Sequence, residues 1–399
     1  MTDAQIDSLF RPLELPCGAV LKNRIAKSAM SDSLGDGRGD PTAAQIALYR
    51  RWAEGGLALS IVGEVQGDPR VAEKPGNLVL APGADMAAFA QLAEAGAANG
   101  AQLWLQLGHG GAMAFPPISE PKGPSAIEMP GLSCAALTPD EIRALPDMFA
   151  RTARLAREAG FGGVQVHAAH GFLLSQFLSP LFNRRGDAYG GSIENRMRLV
   201  HEVIEAVRGA VGPDFAVGVK MNATDQLEGG LAERDGLAVV SALEGTSVDL
   251  IDISGGTYFP GARSASDAAS AGPYFLDFVA EARGRTTKPL MLTGGFKRAE
   301  QVAEALGRGV DVVGLARALV LEPALPNAWA ADPARDPVFP RFANPPEGGV
   351  TAWYTMRLTA LGEGREPLGP EALGEAVEAY ESRDRARIAA WNARFGVPA

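Results

Sequence analysis

Two of the four histidines in this 399-residue chain stand three residues apart, in Val166-His167-Ala168-Ala169-His170-Gly171-Phe172. The apolar run 161–166 leads straight into His167. That is the pattern of a buried parallel strand whose C-terminal end presents polar groups. Two imidazoles at a strand end can offer two donors to one oxygen atom. The alternative is a pair of structural histidines satisfied inside the fold. A second group lies further on. Gly294 and Gly295 follow one strand candidate, and Arg317 follows the next. Glycine lets the backbone approach a ligand closely, and a guanidinium offers a forked cation, so together they suit a phosphate. Ordinary turn glycines with a surface arginine, or a sugar phosphate substrate, are the competing readings.

These residues need a scaffold, and the chain supplies a repeating one. Strand candidates fall at 25–29, 57–62, 102–107, 163–167, 216–221, 250–253, 289–292 and 310–313. Between them, apolar residues recur at helix spacing over 43–54, 85–98, 139–159, 193–211, 233–243 and 299–306. Eight such units predict an α/β fold, a (β/α)8 TIM barrel with an N-terminal lead-in and a C-terminal helical extension. An open doubly wound sheet is disfavoured. No Gly-x-Gly-x-x-Gly follows the first strand, and Gly35-Asp36-Gly37-Arg38-Gly39-Asp40 has the wrong spacing. The expected division is a barrel over 1–335 and an extension over 336–399, packed on the barrel or on a neighbouring subunit. Two long connections, 108–137 and 254–272, are rich in small residues. Both leave C-terminal strand ends, where barrel active sites form, so both are candidate substrate loops.

Bulk properties narrow the field. A formal charge of −10 argues against general nucleic-acid or anionic-membrane binding. Two cysteines, Cys17 and Cys134, make neither a metal cluster nor a disulfide framework. No apolar run is long enough to span a bilayer, and the first residues lack a signal pattern. The expectations are a cytoplasmic location, no metal, a small-molecule substrate, no nucleic-acid or membrane partner and a possible homo-oligomer.

The segment from Val166 to Arg198 resembles the signature of the old yellow enzyme family, the FMN-dependent ene-reductases. Other stretches agree in order. Lys22-Asn23-Arg24-Ile25-Ala26-Lys27-Ser28-Ala29-Met30 resembles the family's first barrel strand, and Leu103-Trp104-Leu105-Gln106-Leu107-Gly108-His109 its third. Thr293-Gly294-Gly295-Phe296 and Val313-Gly314-Leu315-Ala316-Arg317 resemble the seventh and eighth. The resemblance implies FMN as cofactor and NADPH or NADH as co-substrate. It places Ala29, Met30 and Ser31 along the flavin edge, Gly63 beside the ring and Gln106 on its pyrimidine half. It places Lys220 as the cation near flavin N1, where many relatives carry arginine, and Gly294, Gly295, Ala316 and Arg317 at the phosphate.

By the same resemblance, His167 and His170 bind the substrate carbonyl or a phenolate, His167 also lying against the cofactor. The family's next feature is glycine followed by a proton-donating tyrosine. Here Gly171 is present, but the tyrosine position is Phe172, which has no proton to give. Losing a positioned general acid costs about 10² to 10⁴ in rate. Water or another phenol such as Tyr258 acts instead, or the acceptor needs no proton on carbon, or the chemistry is isomerisation or desaturation. Phe172, Tyr258 and Phe259 are the expected aromatic lining for a flat apolar substrate. The expected activity is ping-pong reduction of enones, quinones or nitro compounds. A low-turnover flavin-binding sensor or carrier is the reading from another class.

Overall fold

Each apolar run becomes a barrel strand in the computed structural model, which describes residues 2–259, 272–342 and 344–396. The strands are β1 (Ile25–Met30), β2 (Leu59–Gln66), β3 (Gln102–Gly108), β4 (Gly163–Ala168), β5 (Ala216–Asn222), β6 (Leu250–Ser254), β7 (Leu290–Thr293) and β8 (Val312–Leu315). They pair in parallel in chain order, and β8 pairs with β1, so the sheet closes. Closure excludes the open doubly wound sheet.

The outer layer is helical: α1 (Ala43–Glu54), α2 (Met86–Gly96), α3 (Pro139–Glu158), α4 (Arg198–Val211), α5 (Glu233–Leu243), α6 (Leu276–Arg283) and α7 (Ala299–Gly307). Local sequence fixes several of their starts. Thr138 and Glu141 form a reciprocal capping box with Pro139 in the first turn, which satisfies donors that the first turn of α3 would leave open. The expected helix over 193–211 is two pieces. It breaks at Met197, next to Arg196, whose guanidinium turns inward to Asp235 at 2.7 Å.

Alternation along the strands gives the barrel interior two storeys. The lower one is apolar: Ala26, Leu59, Ile61, Trp104, Ala216, Leu250, Met291 and Val312 form one buried cluster. Trp104 fits because β4 offers no side chain beside it. A Cβ at Gly163 would lie 2.7 Å from the indole. The upper storey is polar, made of the buried Ser28, Gln106, Gln165, Lys220, Asp252 and Thr293. Strand ends above this storey form the mouth.

Of the two candidate substrate loops, 108–137 carries a small sheet of its own, with strands Lys122–Gly123, Ile127–Met129 and Leu132–Ala136. In the other, residues 260–271 lie outside the described residues, while Tyr258 and Phe259 are described. The C-terminal segment forms α8 (Arg317–Leu321), a short helix at Leu325–Ala331, then α9 (Gly349–Gly362) and α10 (Leu373–Phe395). These last two pack on their own barrel. Gly362 sits so close to Ala44 O that a Cβ would reach 2.4 Å. Trp391 is buried with Ala72, Val79 and Ile118, and Arg383 and Arg387 donate to Ser33 in the loop after β1. No described helix is long and apolar enough to cross a membrane.

Candidate active site

His167 ends the inward row of β4, and the chain then turns sharply. His170 has φ 62° and Gly171 φ 83°. A left-handed residue other than glycine is uncommon and needs support. Here His170 N donates to Asn222 Oδ1 at 3.0 Å, Tyr258 N donates to His170 O at 3.1 Å, and Ser254 Oγ lies 2.9 Å from His170 Nε2. Ser254 can give or take a hydrogen, so it holds the ring direction for either tautomer. The two imidazoles meet edge to face, 5.4 Å between centroids. His167 Nδ1 is buried with no hydrogen-bond partner among the described residues. An orphaned polar atom of this kind costs about 1–3 kcal/mol unless a ligand meets it.

Burial, then His170 and Lys220, hold the His167 imidazolium well below its ordinary range. Burial and then Lys220 bring His170 down to about 3. Both rings are therefore neutral at physiological pH and act as hydrogen-bond donors rather than cations. In ¹⁵N-histidine spectra of the four-histidine protein, the His167 and His170 signals are expected to stay constant between about pH 5 and 8. A titration near the ordinary histidine value would contradict the burial argument.

The aromatic residues separate. Phe172 packs 4.9 Å from the His167 ring, and Tyr258 stands 5.8 Å from His170 and 6.1 Å from Phe172. These four rings form one cluster at the mouth. Phe259 turns away from it. That ring is buried and stacks on Phe182 at 3.7 Å. Of the three aromatics expected in the lining, Phe172 and Tyr258 stand beside the histidines, and Phe259 supports Gly171 from behind. Tyr258 keeps 64% of its surface open. Its phenol is nonetheless pushed up to about 12, first by the protein around it and then by Glu64 and Glu73.

Below the histidines lies the polar storey. Lys220 Nζ donates to Ser28 Oγ and Asp252 Oδ2, both at 2.8 Å. Gln165 Nε2 donates to Asp252 Oδ2 at 3.0 Å, and Gln106 Nε2 donates to Gln165 Oε1 at 2.8 Å. A carboxylate only accepts, so Asp252 dictates the amide direction of both glutamines. Gln106 is left with its carbonyl oxygen as an acceptor for a further partner. Lys220 was expected as a cation near the ring; the structure gives it a buried carboxylate partner as well.

At the β1 edge, Ala29, Met30 and Ser31 are half-buried. Gly63 has a reason of its own, since a Cβ there would lie 2.3 Å from Met30 O. Ser31 Oγ donates to Glu73 Oε1 at 3.4 Å. Behind it Glu64 is buried, and burial followed by Glu73 pushes its carboxyl well above the usual range. Lys74 faces this pair and lies 5.7 Å from the Tyr380 ring of α10.

Gly294, Gly295, Ala316 and Arg317 are the residues expected at a phosphate. Gly294 and Gly295 take φ 124° and 83°. The segment 272–274 crosses so closely that Cβ atoms would meet the Tyr274 ring at 2.9 Å and Gly272 O at 2.3 Å. Ala316 precedes α8, and Arg317 opens it with its guanidinium 5.9 Å from the Tyr354 ring of α9. His109 lies apart, its Nδ1 accepting from Gly111 N at 3.0 Å, with burial bringing it down to about 4. Among the described residues no group of His, Cys, Asp and Glu is arranged to hold a metal ion.

Asn222, Ser254, Gln165 and Asp252 act in this site without having been singled out in the sequence. Asn222 and Ser254 are polar residues that end β5 and β6, whereas Gln165 and Asp252 are single polar residues inside the apolar runs of β4 and β6.

The profile of the NADH:flavin oxidoreductase / NADH oxidase family matches residues 8–332. An NADH-dependent flavin oxidoreductase of Hypocrea jecorina is 34% identical over 350 residues, 79% of this chain and 87% of that protein. A like-named protein of Neonectria is 34% identical over 388 residues, 88% of this chain, which spans 50% of that relative's length. The old yellow enzyme homologue of Zymomonas mobilis superposes with a TM-score of 0.73 at 25% identity, over 83% of this chain and 95% of that one.

Proposed function

The chain belongs to the NADH:flavin oxidoreductase / NADH oxidase family, and from that premise we propose that it reduces small electrophilic acceptors with FMN and NADH or NADPH. Enones, quinones and nitro compounds are the acceptor classes. The observation that carries the reading is the neutral His167–His170 pair, one nitrogen of it buried and unpartnered, over a polar floor.

The residues present fit FMN. Gly294, Gly295 and Arg317 suit its phosphate, Gln106 offers an acceptor, Ser31 a hydroxyl and Lys220 a cation. Ala29 and Met30 end β1, and Gly63 lies beside Met30 on β2. When bound, FMN supplies two-electron hydride exchange between nicotinamide and acceptor.

The protein's own part is binding and polarisation. His167 and His170 donate to the acceptor's oxygen and stabilise negative charge that develops there. Their neutrality matters, because a donor that keeps its proton does not quench the charge by protonating it early. Phe172 closes the other side with an apolar edge. Tyr258 is the phenol beside it, and its raised pKa keeps it protonated at pH 7. Acceptors that take negative charge on oxygen need no such donor, since solvent protonates oxygen quickly. Phe172 therefore favours quinones and nitro compounds over enones.

A second reading draws on the same residue: without a carbon-protonating phenol, the pocket also suits flavin-mediated isomerisation or desaturation. The low-turnover sensor or carrier is disfavoured by the intact histidine pair. Two free thiols suit a reducing compartment such as the cytoplasm.

Anaerobic stopped-flow spectroscopy tests the reading. Flavin absorbance is expected to bleach with NADH or NADPH and to return on mixing with quinones or nitro compounds, more slowly with enones. A flavin that neither nicotinamide bleaches would overturn it.

A further inference from the structure

The four residues Ser28, Lys220, Asp252 and Thr293 close a ring of hydrogen bonds across the barrel. Lys220 donates to Ser28 and Asp252 at 2.8 Å, Thr293 Oγ1 donates to Asp252 Oδ1 at 2.8 Å, and Ser28 and Thr293 meet at 3.0 Å. The Lys220 and Asp252 side chains are 1% and 0% exposed. We propose that Asp252 is a positioning residue that sets the reduction potential of the bound flavin by neutralising Lys220. The inference rests on the FMN reading above.

A lone buried cation acts over a long range, because little solvent screens it. Pairing it with a carboxylate at 2.8 Å turns a charge into a dipole, whose field falls away faster. A flavin gains negative charge on reduction, so a free cation beneath it favours the reduced form, and a neutral pair favours it less. Asp252 serves the cation and, through Gln165, the two glutamine amides. It lies on β6 and faces neither His167 nor His170 through any hydrogen bond, and its oxygens are taken by Lys220, Gln165 and Thr293. The same carboxylate fixes the two glutamine amides, so charge and amide direction are set by one side chain.

The test is the flavin midpoint potential and the affinity for sulfite, whose adduct also places negative charge on the ring. Both are measured on holoenzyme. Asp252→Asn removes the anion at constant shape. It is expected to favour reduction about tenfold, roughly 30 mV for a two-electron couple, and to tighten sulfite by a similar factor. Lys220→Met is expected to move both readouts the other way. The double variant Lys220→Met/Asp252→Asn removes the pair as a unit, a change that buried ion pairs often tolerate, and should stay close to the wild type. A double variant that falls as far as Lys220→Met alone would show that lysine acts as a lone cation, and the inference would be wrong. An unchanged potential in Asp252→Asn would also overturn it. Wild-type protein that takes up no flavin would instead overturn the FMN reading.

Discussion

Replacing both His167 and His170 with alanine is expected to slow acceptor reduction by about 10³ or more while FMN remains bound. Removing one preorganised donor from a site of developing negative charge costs about 10² to 10³. Here two donors go at once, and effects within such a unit do not simply add. Neither ring titrates near neutrality, so the loss is one of hydrogen bonding and geometry rather than of charge. FMN retention follows from the separation of the sites. The proposed phosphate corner at Gly294, Gly295 and Arg317 follows β7 and β8, whereas the histidines stand at the end of β4. The same variant should lose the long-wavelength absorbance that phenols produce when they stack over a flavin. If phenol affinity is unchanged in the double variant, the histidines do not hold the substrate oxygen.

The second large effect is expected from Phe172→Tyr. It should speed enone reduction by about 10² when carbon protonation limits the rate, and leave quinone reduction nearly unchanged. Hydride addition to an enone leaves an enolate that needs a proton on carbon. Addition to a quinone leaves charge on oxygen, which solvent protonates. Phe172 is buried 4.9 Å from the His167 ring, so a hydroxyl added at its tip enters the cluster that includes Tyr258. The comparison belongs in the oxidative half-reaction, since flavin reduction by nicotinamide does not use the phenol. Unchanged enone reoxidation would mean that Tyr258 or water already serves, or that the native acceptor never needed a carbon acid.

Much of this protein is legible in its sequence because a closed parallel barrel is a local repeat. The run 250–253 reads as a strand from its own residues, and α1 and α5 were placed to the residue by apolar spacing alone. The errors have one physical source. β2 was expected at 57–62 and runs Leu59–Gln66, since its last residues, Glu64 and Gln66, are polar yet buried. Apolar patterning ends where the chemistry begins. The Lys220–Asp252 pair stayed hidden for a related reason. The two residues are 32 positions apart, and only the in-register pairing of β5 with β6 turns both inward at one height. Phe259 was expected in the lining, and spacing alone cannot show that it stacks on Phe182. His167 and His170 were legible because a strand end followed by glycine leaves few places for two imidazoles to go.

The most direct measurement is the cofactor released when purified protein is denatured. The purified protein is expected to be yellow, and the supernatant to contain FMN, approaching one per chain after reconstitution with added FMN. Colourless protein that takes up no FMN when it is supplied would contradict the proposed role of the Gly294–Gly295–Arg317 corner and of the floor beneath the histidines, and with them the assignment of flavin chemistry.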